Sequence, residues 1–247
     1  MSPFVWVETI TLVNSHEHAT ITADKPIQVK YLGGKPNSSS SSGEIRGFTS
    51  LPSSALSNTY YAPVGSFEHY SSRSKKQTDA FFYNPQNSAI IIHWNSGAQS
   101  GSFTLSAHYT TSFHQKTRHY LTQDRATIFT SSQKYIAIST VGTNSPSYDW
   151  GYNLLPKEYL QNDYAIGWTE TRTGGRDGTP LFITASENGT SVFIDTNNDG
   201  TPDHTYLVDK YEMQKVYDTS SSHNFQGAHI WSTRPIAIVW GQDPSRA

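Results

Sequence analysis

A chain of 247 residues and 27.5 kDa can bury one large core or two modest ones. Eighteen Lys and Arg against twenty Asp and Glu give a net charge of −2, which excludes the basic field of a nucleic-acid binder, and a charged fraction of only 15% excludes a long charged helix. The absence of cysteine excludes disulfide scaffolds, thiolate catalysis and cysteine-based zinc sites.

In chain order, Val5–Val13 reads as a strand, and the opening Met-Ser-Pro-Phe lacks the basic patch and apolar core of an export signal. Any such signal is therefore expected to have been removed, or the segment to belong to a longer chain. His16-Glu17-His18 places two imidazoles on one strand face, a spacing that suits a transition metal, but no third ligand can be identified. Gly33 to Gly43 is a serine-rich loop, and Ser71 to Lys76 a second, basic one. Ala89–Trp94 and Ser102–Tyr109 are short β-branched and aromatic runs bounded by turn residues, the pattern of strands. Tyr148, Trp150 and Tyr152 form an aromatic cluster expected in an exposed loop, where rings stack on sugars or anchor a protein partner. Asn188-Gly189 carries the signal of a two-residue hairpin, and Pro26 and Pro235 are placed at strand starts. Trp94, Trp231 and Trp240 are expected in the core. The only helix candidates are the short segments after Pro52 and Pro156, either of which could be a mere turn.

Three signatures recur in one order. Leu51-Pro-x-x-x-Leu56-x-Asn58-x-Tyr60 returns as Leu155-Pro-x-x-x-Leu160-x-Asn162-x-Tyr164. The Ala-x-Ile strand appears at Ala19, Ala126 and Ala228, and Phe81-Phe82 with its following strand matches Leu181-Phe182. All lie about one hundred residues apart. The expected architecture is all-β: two tandem, internally repeated β-sandwich-like units with strands exchanged at the unit boundaries. Residues 1–18 would be the tail of a preceding unit, 19–125 the first, 126–227 the second, and 228–247 a closing strand leading to the next.

The sharpest chemical motif is Asp195-Thr-Asn197-Asn-Asp199-Gly200-Thr201-Pro-Asp203. Hard Ca²⁺ takes six to eight oxygens, and a loop with carboxylates or amides at alternate positions turns them inward. Asp195, Asn197, Asp199 and Asp203 would supply side chains, Thr201 its carbonyl, and Gly200 the sharp turn. Tyr206 stands where an EF-hand has Glu, so the loop is closer to extracellular calcium repeats. Nucleophile elbow, P-loop, His-Glu-x-x-His and Rossmann glycine motifs are all missing, and a carboxylate pair such as Glu158 with Asp163 is recognised only in space. A non-enzymatic protein is expected.

Ile21–Val29, Ile183–Val192 and Ala228-His-Ile-Trp-Ser-Thr-Arg-Pro-Ile-Ala-Ile-Val-Trp-Gly241 resemble the IgGFc-binding-protein N-terminal domain family, in which a strand-turn-strand around Glu-Asn-Gly-Thr precedes an Ile-x-Ser-x-x-Pro-Ile-Ala strand. The resemblance implies an extracellular adhesion or ligand-binding module, with a glycan or protein on another surface and neighbouring repeats as partners. It carries no catalytic residues across and leaves the ligand open. The alternative is a subunit of an extracellular filament or surface layer.

Overall fold

A computed structural model describes residues 21–25, 27–34, 45–67, 77–142, 150–167, 180–217 and 225–241. It is all-β and sandwich-like, as composition and strand patterns lead one to expect. The first strands are β1 (Lys30–Gly34), β2 (Ile45–Thr49), β3 (Ser57–Ala62), β4 (Thr78–Tyr83), β5 (Ile90–Asn95) and β6 (Ser100–Leu105). They are followed by β7 (Thr110–Ser112), β8 (Thr127–Val141), β9 (Trp150–Asn153) and β10 (Leu155–Pro156). The remainder are β11 (Gln161–Ala165), β12 (Leu181–Ala185), β13 (Thr190–Asp195), β14 (His204–Val208), β15 (Gln214–Val216) and β16 (His229–Trp240). Among the described residues β1 and β2 pair with each other, β3 to β10 form an eight-stranded sheet, and β11 to β16 a six-stranded one.

One long strand organises each large sheet. The first part of β8 pairs with β3 and β5, and its second part with β4 and β9. The two layers thus share a bent strand and face each other across a core. In the same way β16 pairs with β11 and β13 early, then with β12. Consecutive strands β12 and β13 consequently join opposite layers. Asn188-Gly189 is therefore a crossing turn and not the hairpin its sequence signals; only Gly189 has positive φ, at +67°. Pro235 lies within β16 and not at a strand start, at the bend between its two pairing partners, where a missing N–H leaves no ladder bond unmade.

The two prolines expected to start helices instead start single 3-10 turns, Ser53–Ala55 and Lys157–Tyr159. Each turn delivers a tyrosine with the same job. The Tyr60 hydroxyl accepts from Ser57 N–H at 3.0 Å and donates to the Tyr135 carbonyl at 2.6 Å. The Tyr164 hydroxyl accepts from Gln161 N–H at 2.8 Å and donates to the Ile236 carbonyl at 2.8 Å. Tyr135 and Ile236 sit at the bends of β8 and β16, so each clamp pins a layer edge to its shared strand.

The strand after Ala126, expected to open a second unit, lies wholly in the eight-stranded sheet, and β10 also stays there by pairing with β3. The passage to the second sandwich falls at the 3-10 turn 157–159. The sandwiches meet at a seam of two apolar clusters. In one, Val64, Phe67 and Val141 pack with Phe182, Met213 and Val239; in the other, Tyr61 and Ile128 pack with Leu160 and Ala237. Among the described residues one α-helix forms, α1 (Phe113–Thr117), and it opens with a capping box between Ser112 and Gln115.

Candidate functional site

A shallow groove of about 530 Å³ lies on the outer face of the eight-stranded sheet, where that face meets the second sandwich. Strand alternation builds its floor: His93 and Asn95 from β5, Ser100 and Ser102 from β6, and Thr130 from β8 all point away from the core. Lys210 and Tyr211 form the opposite wall.

That wall is held by an unusual amount of backbone bonding. Asp209 accepts from Gly189 N–H at 2.7 Å, and its own N–H donates to Glu212 at 3.0 Å. Lys210 N–H donates to the Asn188 amide oxygen at 3.1 Å, and the Tyr211 carbonyl accepts from Ala126 N–H at 3.1 Å. These ties hold Tyr211 at φ +72°, a left-handed conformation that a bulky residue rarely adopts. The Lys210 ammonium lies 5.0 Å from the centre of the Tyr211 ring. The groove therefore offers hydroxyls, an amide, an imidazole, one cation and two aromatic rings, those of Trp94 and Tyr211. Its residues come from positions 93–102, 130 and 210–211, so no local motif exposes it.

The Asp-rich loop closes on itself. Asp195 is fully buried, and its two carboxylate oxygens accept from Asp199 N–H at 3.2 Å and Gly200 N–H at 2.7 Å. The Asn197 side-chain oxygen accepts from Asp199 N–H, and Asp199 accepts from Thr201 N–H at 2.9 Å. Asp203 accepts from the hydroxyl and N–H of Thr196, which hold its carboxyl below the usual range. Gly200 takes φ +91°, as the motif requires. Among the described residues, no three Asp, Glu or His side chains are grouped to hold a metal. The donors are of the right chemistry for Ca²⁺, but in this arrangement backbone N–H groups occupy them.

Of the aromatic cluster, Tyr148 lies outside the described residues, as do His16-Glu17-His18 and the basic loop at 71–76. Trp150 and Tyr152 stand on β9 and not in a loop, because that segment extends the eight-stranded sheet alongside β8. Their rings pack into the seam, and a Cβ on Gly241 would fall 2.4 Å from the Trp150 ring. The Tyr152 hydroxyl accepts from Val64 N–H, and burial pushes it well above the usual phenol range. Trp94 is core, whereas Trp231 turns outward on β16 between Phe193 and His229, with ring centres 5.5 and 4.9 Å apart. His229 meets the Asp163 carboxylate at 3.3 Å.

No family model, curated protein or solved structure matches the chain. No helix among the described residues is long and apolar enough to cross a membrane.

Proposed function

We propose that the chain is a non-enzymatic, extracellular surface module that binds a glycan in the groove between the eight-stranded sheet and the Asp209–Glu212 turn. The observation that carries this reading is Tyr211, kept in a costly left-handed conformation over a floor of His93, Asn95, Ser100, Ser102 and Thr130. Backbone strain of about 1–3 kcal/mol persists where surrounding structure enforces it, and such sites cluster at binding positions. A ring face and several hydroxyl-matching groups are what a sugar requires. A composition rich in Ser, Thr, Tyr and Gly suits a surface protein. Titration calorimetry against a panel of oligosaccharides tests the reading: His93→Ala, at an exposed position, should abolish the heat of binding without moving the melting temperature, and Tyr211→Ala should abolish it while lowering the melting temperature, because the ring also packs against the seam. Undiminished binding in both variants would overturn it.

We further propose that the two sandwiches are copies of one unit, each built around a shared bent strand. The two tyrosine clamps and the matching order of strand pairings support this. The equivalence follows from the clamps: Tyr60 corresponds to Tyr164 and Tyr135 to Ile236. His108 and Tyr211 then correspond too, each with positive φ just before β7 or β15.

Calcium belongs to the same proposal, held by Asp195, Asn197, Asp199, Asp203 and the Thr201 carbonyl. Its support is an all-oxygen donor set around a left-handed glycine. Binding would require Asp203 to exchange Thr196 for the ion. A melting temperature raised by Ca²⁺ and lowered by chelator, with both responses lost in Asp199→Ala, is the expected result.

A further inference from the structure

We infer that a second copy of this chain docks head to tail, its first sandwich against the outer face of the second sandwich formed by Phe193, Trp231, His229 and Ala165. The inference rests on the equivalence of the two sandwiches proposed above and extends their seam beyond the chain. Four side chains of the second sandwich are covered by the first: Leu160, Phe182, Ala237 and Val239, all buried. Their counterparts in the first sandwich are Leu56, Phe81, Ile136 and Ile138, and every one of these is half exposed. The opposite side of the seam behaves the same way. Tyr61 and Ile128 are buried beneath the second sandwich. The residues in their register positions on the second sheet, Ala165 and His229, are exposed and half exposed.

Among the described residues, each end therefore carries one half of the seam incompletely covered. A contact of this kind joins different faces of two copies, so it need not close and can propagate. The open face of the second sheet is also the more apolar. Phe193, Trp231 and His229 form a stacked ladder across β13 and β16, and Leu207 beside it is 69% exposed. Matching positions on the first sheet, His93 and Thr130, are polar and line the groove. Association by such faces needs no exchange of strands.

Because the chain has no native cysteine, single cysteines report the contact cleanly. Leu56 and Ala165 occupy the positions that Leu160 and Tyr61 hold at the internal seam. Ala165→Cys mixed with Leu56→Cys under mild oxidation should give a disulfide-linked dimer. Ala165→Cys mixed with Thr104→Cys, on the exposed edge strand β6, should give only background. Sedimentation velocity of the unmodified chain should show concentration-dependent association, weakened about tenfold or more by Trp231→Glu. A monomer at every concentration with cross-linking at background overturns the inference, and so does association that Trp231→Glu leaves intact. Trp231 lies outside the groove, so glycan binding should persist in Trp231→Glu and separates the two readings. An experimental structure in which the sandwiches do not superpose on Tyr60 and Tyr164 would sink the equivalence itself; superposition without association sinks only the docking.

Discussion

The two cores use one pattern of strand pairing and opposite kinds of side chain. The first is built of rings: Phe82 packs against Phe103, Phe129 and Tyr135, and Phe113 against Trp94, Phe103 and Phe129, with centroids between 4.9 and 6.4 Å. The second is mainly aliphatic, with Leu181, Ile183, Val192, Ile194, Ile230 and Ile236. The same bent-strand frame tolerates both because cores demand volume and patterning before particular shapes. Rings are rigid and mutually oriented, so the first core is expected to relax less when a member is removed. Phe82→Ala should cost about 3–5 kcal/mol and Ile183→Ala, inside the second core, about 2–5 kcal/mol. Urea unfolding of the two variants measures the difference. A shared seam predicts one cooperative transition in both; two separated transitions would break the comparison at its root.

The tyrosine clamps sharpen it next. Tyr60 is fully buried and Tyr164 only half buried, although both bridge an N–H to a carbonyl at a bend. Burial raises both phenols above the usual range. Removing the Tyr60 hydroxyl strands a buried N–H and carbonyl, so Tyr60→Phe should cost about 1–3 kcal/mol. Water can reach Gln161, so Tyr164→Phe should cost about 1 kcal/mol or less. Equal costs in denaturant titrations would show that exposure does not govern the clamps.

These clamps also mark what was legible in the chain. Leu-Pro-x-x-x-Leu-x-Asn-x-Tyr leads to a tyrosine clamp of the same form in each sheet, because its tyrosine bridges an N–H three residues back to a carbonyl at the bend of the long strand. The Ala-x-Ile signature is not as consistent. Ile128 faces the seam while Ile230 faces the second core, so aligning them slips the strands by one residue and exchanges their faces. Both faces of β8 are buried near the seam, which erases the alternation that would have shown the slip. Phe82 and Phe182 mislead similarly: Phe82 lies in the first core, and Phe182 at the seam. Trp231, expected inside, is outward for the reason that Ile230 beside it is inward. The short helix at Phe113 was readable from Ser112-x-x-Gln115, but five residues are too few to show a helical period. The groove had no local signature at all, because its wall and floor are brought together only by the packing of one sandwich on the other.

Acidity separates the sandwiches in direction. Burial raises the Asp79 carboxyl of the first above its ordinary value, against the N–H groups of His114 and Ala80 that favour its charge. Its stabilising contribution is therefore full below the ordinary carboxylate range and is lost as pH rises through the folded value. Asp203 of the second is lowered by Thr196, so its contribution is present above the ordinary carboxylate range and lost as pH falls through the folded value. Asp79→Asn should gain on the unmodified protein as pH rises from 3 to 7, and Asp203→Asn should lose over the same span. Melting temperatures across that range check both signs.

The smallest effect concerns the latch between each crossing turn and its bent strand. In the first sandwich it is neutral: the Gln86 amide donates to the Lys134 carbonyl at 2.8 Å. In the second it is ionic, between Arg234 and Glu187, with side chains about half exposed. A neutral bond to a backbone carbonyl is indifferent to ionic strength, whereas an exposed ion pair is screened over about 3 Å at 1 M salt. Gln86→Ala should therefore cost about 0.5–1.5 kcal/mol at any salt concentration. Arg234→Ala should cost about 0.2–1 kcal/mol in dilute buffer and nothing measurable in 1 M NaCl. Chemical denaturation with urea, which adds no ions of its own, distinguishes them. A salt-insensitive cost at Arg234 would mean that its aliphatic stem, packed along the β16 bend, matters more than its charge, and that the two latches work alike after all.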